Sequence, residues 1–132
     1  VTQNSIQKLC DYLKNNENSF VISTVYNYDV DKKQLKEQYT GMFNQRPLFF
    51  LGALWRKNIY SIGGNDEEFV APAYEDDWFG LCLTKGLGLN PYFATDVVGY
   101  HQHHSRPNAA IASPSYQLFR RKVKAEEEGH IK

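Results

Sequence analysis

Ser61-Ile62-Gly63-Gly64-Asn65-Asp66-Glu67-Glu68-Phe69-Val70-Ala71-Pro72-Ala73-Tyr74-Glu75-Asp76-Asp77-Trp78-Phe79-Gly80-Leu81-Cys82-Leu83-Thr84-Lys85-Gly86 is the stretch from which the fold of this chain is best read. It has two parts. The Gly63-Gly64 pair leads into a short acidic turn, Asn65-Asp66-Glu67. A second acidic cluster, Glu75-Asp76-Asp77, then opens an apolar-periodic run. Carboxylates in a first helical turn complement the positive end of the helix. Phe79, Cys82, Leu83 and Gly86 recur at i, i+3, i+4 and i+7, so the spacing predicts a helix with one buried face. The carboxylates then lie at the helix mouth, delivered by a loop to an open edge. Acidic residues at such a place commonly do no more than cap.

Upstream of this stretch, Asn4 and Ser5 can cap a helix carrying Ile6, Leu9, Cys10 and Leu13 at helical spacing. Residues 20–26, Phe-Val-Ile-Ser-Thr-Val-Tyr, are β-branched and aromatic, which predicts a strand buried on both faces. A helix followed by an apolar strand is half of a crossover unit and argues for an α/β sheet. Leu35 and Tyr39 share one side of a short helix expected over residues 31–40. Arg46-Pro47 breaks the chain, and residues 48–55 form a strand-like apolar run ending in Trp55.

Downstream, residues 92–99 read as another strand, which leads into Tyr100-His101-Gln102-His103-His104-Ser105-Arg106-Pro107. His101 and His103 alternate and face one side if the strand continues. Neutral imidazole is a common metal ligand, although a histidine cluster is more often plain surface. Residues 108–114 read as a loop. Ser115 then caps a last helix with Tyr116, Phe119 and Val123 on one side. Its Arg120-Arg121-Lys122-Val123-Lys124 run, balanced by Glu126, Glu127 and Glu128, reads as solvated.

The chain has 132 residues, one domain's worth and enough to bury a core. At 42% apolar it is globular rather than disordered. The 15 basic and 15 acidic residues cancel, which argues against nucleic acid or an anionic membrane as the main partner. Cys10 and Cys82 both fall on expected helical core faces, so buried free thiols are expected rather than a disulfide or metal pair. Neither a signal peptide nor an apolar run of transmembrane length stands in the sequence, and a cytoplasmic location is the expectation.

The pattern from residue 48 to 107, and more loosely from residue 1, resembles the acceptor-side half of the family 2 glycosyltransferases and their GT-A relatives. In those enzymes a Gly-Gly-x-Asp-Glu turn precedes a Glu-Asp helix, a further strand and a metal-ligand His. The matching residues are Gly63, Gly64, Asp66, Glu67, Glu75, Asp76 and His101. The resemblance implies an α/β fold, the second half of a GT-A mixed sheet flanked by helices. Residues 1–112 would be that half and residues 113–132 a C-terminal helix and tail. It implies transfer of a sugar from a nucleotide-diphosphate donor to a carbohydrate or glycoconjugate hydroxyl, with inversion. Asp76 would be the general base and Glu75 its helper or an acceptor contact. Gly64, Asn65, Asp66, Glu67, Trp55, Asp77 and Trp78 would contact the acceptor, Trp55 by stacking on a sugar ring. Trp55 also reads as a core residue, the commoner fate of a Trp in an apolar run. Arg106 would meet a donor phosphate. His101, with His103 second, would ligate Mn2+ or Mg2+ on the diphosphate.

Two departures accompany the resemblance. The donor half of the fold, with its Asp-x-Asp metal motif, would have to precede Ser5, so the chain reads as a fragment whose N-terminal half is a missing partner. Asp29-Val30-Asp31 stands after the helix and strand that normally follow that motif, and is not assigned the role. Asn65 occupies a position where many relatives carry an aromatic. A second reading is a non-catalytic carbohydrate-binding or structural module on the same scaffold. A third, a metal-dependent hydrolase, is weaker because His-Glu-x-x-His is absent.

Overall fold

A computed structural model describes residues 3–41, 51–70, 74–102 and 109–127. Helix α1 (Ser5–Asn15) leads into β1 (Ser19–Asp29). Then come β2 (Gln34–Thr40), the two-residue β3 (Gly52–Ala53), α2 (Arg56–Ser61) and α3 (Glu75–Leu81). A π-helical turn (Cys82–Gly86), β4 (Asn90–Gln102) and α4 (Ala109–Glu127) complete the chain.

The sheet is mixed and centred on β1. One edge of β1 pairs with β4 in parallel along its whole length. The other edge pairs antiparallel with β3 near its start and with β2 near its end. A parallel neighbour requires a crossover, and α2, α3 and the π turn supply it. Alternate residues of β1 enter two separate clusters. Val21 joins Leu9, Leu13, Ala94 and Val97 under α1. Phe20 and Ile22 join Leu83 and Leu89 under the π turn. The sheet thus has an apolar cluster on each face, which explains why β1 is apolar without alternation. Each such fully buried aliphatic or aromatic side chain contributes about 1.5–3 kcal/mol.

β4 carries an irregularity that matters below. Ser23 pairs with Ala94, but Thr24 pairs with Val98, so Thr95, Asp96 and Val97 are inserted opposite a single step of β1. Thr24 Oγ1 donates to the Ala94 carbonyl at 3.2 Å inside this bulge. Asp96 accepts a hydrogen bond from Tyr12 Oη at 2.7 Å and lies 3.7 Å from Lys8 Nζ, which ties α1 to the bulge. That hydrogen bond, with partial desolvation, pushes the Tyr12 phenol up to about 12.

Several expectations are corrected. Residues 34–40 form a strand, not a helix. Asp29 Oδ1 accepts the N–H groups of Asp31 and Lys32, each at 3.1 Å, and turns the chain into a hairpin. Leu35 and Tyr39 do not share a face: a register irregularity falls between them, so Leu35 pairs with Tyr28 while Tyr39 stacks on His101, whose partner is Asn27 on the other face. Residues 52 and 53 alone are strand in the expected run before Trp55, whose first three residues lie outside the described part. The last helix begins at Ala109, within the expected 108–114 loop, with Pro114 inside it. Cys10 is exposed rather than buried, and Ile6 is 81% exposed, so α1 buries a narrower stripe than its apolar residues suggest. Among the described residues no helix is long and apolar enough to cross a membrane.

Candidate functional site

The Gly-Gly pair has a local job. Gly64 N–H donates to the Ile59 carbonyl at 3.0 Å and Gly63 N–H to Tyr60 at 3.1 Å. This is a Schellman closure of α2, and Gly63 occupies its left-handed position at φ 78°. Gly64 shares that φ, and both have open space where a Cβ would stand. The chain then enters the acidic turn, which Asp66 organises by accepting the Glu68 N–H at 3.0 Å.

Asp66 is not simply solvated. Its Oδ2 lies 2.8 Å from Lys122 Nζ, reaching in from α4. Lys122 also contacts Glu68 Oε1 at 2.9 Å and stands 5.6 Å from the centroid of the Trp78 ring. Trp78 is buried, and its indole N–H completes the hydrogen bonding of Asp66. Burial by itself would raise the Asp66 pKa. The Lys122 hydrogen bond, the Glu68 N–H and the Lys122 charge outweigh it and hold the carboxyl below its ordinary range. The same contacts overcome desolvation at Lys122 and raise its pKa. Cys82, half-buried beside them, has its thiol pushed up by burial and then by the Asp66 charge. A cleft of about 480 Å³ runs between the 63–68 turn and Trp78, Phe79 and Cys82. Lys122 is the residue that reading the sequence missed. Its place in the basic run of residues 120–124 concealed that its side chain is only 12% exposed.

Helix α3 begins at Glu75 after Tyr74, a non-glycine residue at φ 68°. Tyr74 is held by the rings of Tyr116 and Phe119 on α4, at 5.2 and 5.5 Å. Asp76 and Asp77 are exposed in the first turn. Glu75 is half-buried, and its Oε2 is a buried acceptor without a hydrogen-bond partner among the described residues. A buried carboxylate oxygen left in that condition costs about 1–3 kcal/mol, so it favours a hydroxyl or amide donor arriving from outside.

A second cluster lies at the carboxyl ends of β1 and β4, the end of a parallel pair where α/β sheets bind ligands. His101 Nδ1 is 2.8 Å from Asn27 Oδ1, and Asn27 Nδ2 donates to Glu37 Oε1 at 2.9 Å. The His101 ring stacks on Tyr39, centroids 4.4 Å apart and planes 5° off parallel.

The structure therefore brings Gly64, Asp66 and Trp78 together, with Asn65 and Glu67 exposed on the same turn and lining the same cleft. Trp55 belongs elsewhere. It packs with Tyr12 and Tyr92 against the α1-side cluster, the core reading, while the cleft adjoins Phe79 and Ile62 of the opposite cluster. His103 and Arg106 lie outside the described residues. Among the described residues no three His, Cys, Asp or Glu side chains converge as a metal-holding group. Compared with protein-family models, curated proteins and solved structures, the chain matches none.

Proposed function

We propose that this chain is the acceptor-side part of a GT-A glycosyltransferase that moves a sugar from a nucleotide-diphosphate donor to a carbohydrate or glycoconjugate hydroxyl. The observation that carries the reading is an order of features. A Gly-Gly-x-Asp-Glu turn is followed by a helix opened by Glu75-Asp76, then by β4, parallel to β1 and bearing His101 near its end. The Oε2 of Glu75, which has no hydrogen-bond partner among the described residues, supports it, since an acceptor hydroxyl would be a fitting donor.

In this reading the acceptor enters beside the 64–67 turn and the start of α3. Asp76 is exposed in the first turn of α3, where an incoming hydroxyl can reach it. It takes the proton of the attacking hydroxyl as that oxygen displaces the diphosphate at the anomeric carbon, with inversion. General-base assistance of this kind is worth about 100- to 10,000-fold. Glu75 accepts a hydrogen bond from the acceptor and fixes its approach. Lys122 pairs with both Asp66 and Glu68, and its single positive charge offsets one of the negative charges on the turn. In this reading His101 would contribute one ligand to the divalent ion, and its other ligands would come from outside the described residues. Imidazole favours Mn2+ over Mg2+, which prefers oxygen. The ion would supply Lewis-acid neutralisation of the leaving diphosphate.

The test is Asp76→Asn, assayed in the protein with its donor-binding part. Sugar transfer is expected to fall at least about 100-fold with an unchanged melting temperature. Transfer at the original rate would refute the base assignment, and binding of carbohydrate with no transfer by the unaltered protein would favour a binding module instead.

A further inference from the structure

We propose that Tyr74 is a positioning residue for Glu75 and Asp76. It is clamped by Tyr116 and Phe119, so that α4 sets where the first turn of α3 stands relative to the acidic turn. The inference rests on the role given to Asp76 above, but the clamp itself can be tested without any transfer reaction.

Tyr74 is the residue on which α3 opens, and its carbonyl accepts the first helical hydrogen bond, from the Trp78 N–H at 3.0 Å. A residue in that place is ordinarily extended and small, with a side chain that bonds the helix N–H groups. Tyr74 departs on each count. It is left-handed at φ 68°, it is aromatic, and it makes no side-chain cap hydrogen bond. Helix α1 also starts from a left-handed residue, Asn4 at φ 61°, but asparagine tolerates that conformation and a bulky side chain does not. Strain of this kind persists only where the surrounding structure imposes it, and it gathers at functional sites. Here the imposing structure is α4. The Tyr74 ring lies 5.2 Å from that of Tyr116 and 5.5 Å from that of Phe119, both within the range of favourable ring pairs. Tyr116 is itself contacted by Arg120, whose Nη1 donates to its hydroxyl at 3.1 Å. Tyr116, Phe119 and Lys122 succeed one another at intervals of three and share one side of α4. Lys122 holds Asp66 and Glu68. One side of α4 thus grips both the acidic turn and the residue from which the Glu75-Asp76 helix starts. Packing that served stability alone has no need of a strained backbone. The strain falls on the residue directly before the two carboxylates, where the backbone it fixes is theirs.

The experiment is amide hydrogen exchange of the full chain by NMR, read at the Trp78 N–H, with Tyr74→Gly, Tyr74→Phe and Phe119→Ala. Glycine accepts the left-handed backbone but loses both ring contacts, so global stability in urea should change little while the first turn of α3 loosens. Exchange at Trp78 should quicken, relative to amides of β1, about five- to twentyfold in Tyr74→Gly and about three- to tenfold in Phe119→Ala. Tyr74→Phe keeps the ring contacts and should exchange as the unaltered chain does. In the protein with its donor-binding part, Tyr74→Gly should lower kcat about fivefold or more at an unchanged KM for the donor, and Tyr74→Phe should retain the original kcat. Unchanged Trp78 exchange in both Tyr74→Gly and Phe119→Ala would overturn the clamp. Faster exchange with undiminished kcat, in a protein that Asp76→Asn disables, would overturn the positioning role. Full transfer by Asp76→Asn, or none by the unaltered protein, would remove the base assignment and the positioning role with it, while the exchange result still judges the clamp.

Discussion

Replacing Lys122 by Met removes one ammonium from contact with two carboxylates and an indole ring while keeping most of the side chain's volume. At 2.8 Å and an effective dielectric near 20, the gross attraction to Asp66 is about 6 kcal/mol. Desolvation and the ordering of a long side chain offset most of that. Fully exposed pairs retain about 0–1 kcal/mol, and breaking a fully buried one costs about 3–5 kcal/mol. With side chains 12% and 20% exposed, this pair falls between the limits, and we expect Lys122→Met to cost about 2 kcal/mol. For a chain of 132 residues that is a fall of about 7 °C in melting temperature. The pH dependence has a definite sign. Asp66 has a lowered pKa, so its contribution is present above the unfolded carboxylate value and is lost as pH falls through the folded one. Lys122 has a raised pKa, so its contribution is present below the unfolded lysine value and is lost as pH rises through the folded one. The Met variant should therefore show a shallower loss of stability at both extremes. The assay is a double-mutant cycle of Lys122→Met with Asp66→Asn, by thermal and urea unfolding at neutral pH. A coupling of about 1–2 kcal/mol is expected. A coupling below about 0.5 kcal/mol would mean that α4 is not anchored to the acidic turn, and would refute the reasoning.

Two further outcomes bear on the same region. Gly63→Ala places a Cβ in the left-handed closure of α2 and should cost about 1–2 kcal/mol in urea unfolding, whereas Gly86→Ala, at ordinary φ with open space around it, should cost nothing measurable; equal effects would contradict the Schellman assignment. Maleimide labelling followed by mass spectrometry should modify exposed Cys10 at least about tenfold faster than Cys82, whose thiol is half-buried and raised in pKa, and comparable rates would mean that α3 and the π turn do not shield it.

How far the sequence could be read depended on whether a residue's role was set by near neighbours. β1 was legible because every residue from Phe20 to Val25 is buried and the run is β-branched and aromatic. The start of α3 was legible because three consecutive carboxylates mark a helix mouth. β2 was misread because Leu35 and Tyr39 at i and i+4 satisfy both periods, and the signal that decides is the Asp29 turn, two elements of geometry away from either. The early start of α4 was misread because Pro114 and Ser115 imitate a helix boundary. Lys122 was misread because charge balance along a helix says nothing of what the helix lies against. Trp55 was open between two readings, and only the partition of β1 into two apolar clusters separates them.

The His101 cluster shows the limit most clearly. Which residue meets Asn27 is decided by the β4 bulge. Continuing the pairing of Ser23 with Ala94 without interruption would set Val98 opposite Asn27. The inserted Thr95, Asp96 and Val97 advance the register by three residues and bring His101 there instead. An odd shift also exchanges the two faces of a strand, so the residues of β4 beyond the bulge point opposite to where uninterrupted alternation would put them. The bulge in turn is held by contacts distant in sequence, Tyr12 of α1 on Asp96 and Thr24 of β1 on the Ala94 carbonyl. A histidine can be noticed from its neighbours in the chain. The partner that its Nδ1 meets is chosen by a register that α1 and β1 set together, and no local pattern around residue 101 contains it.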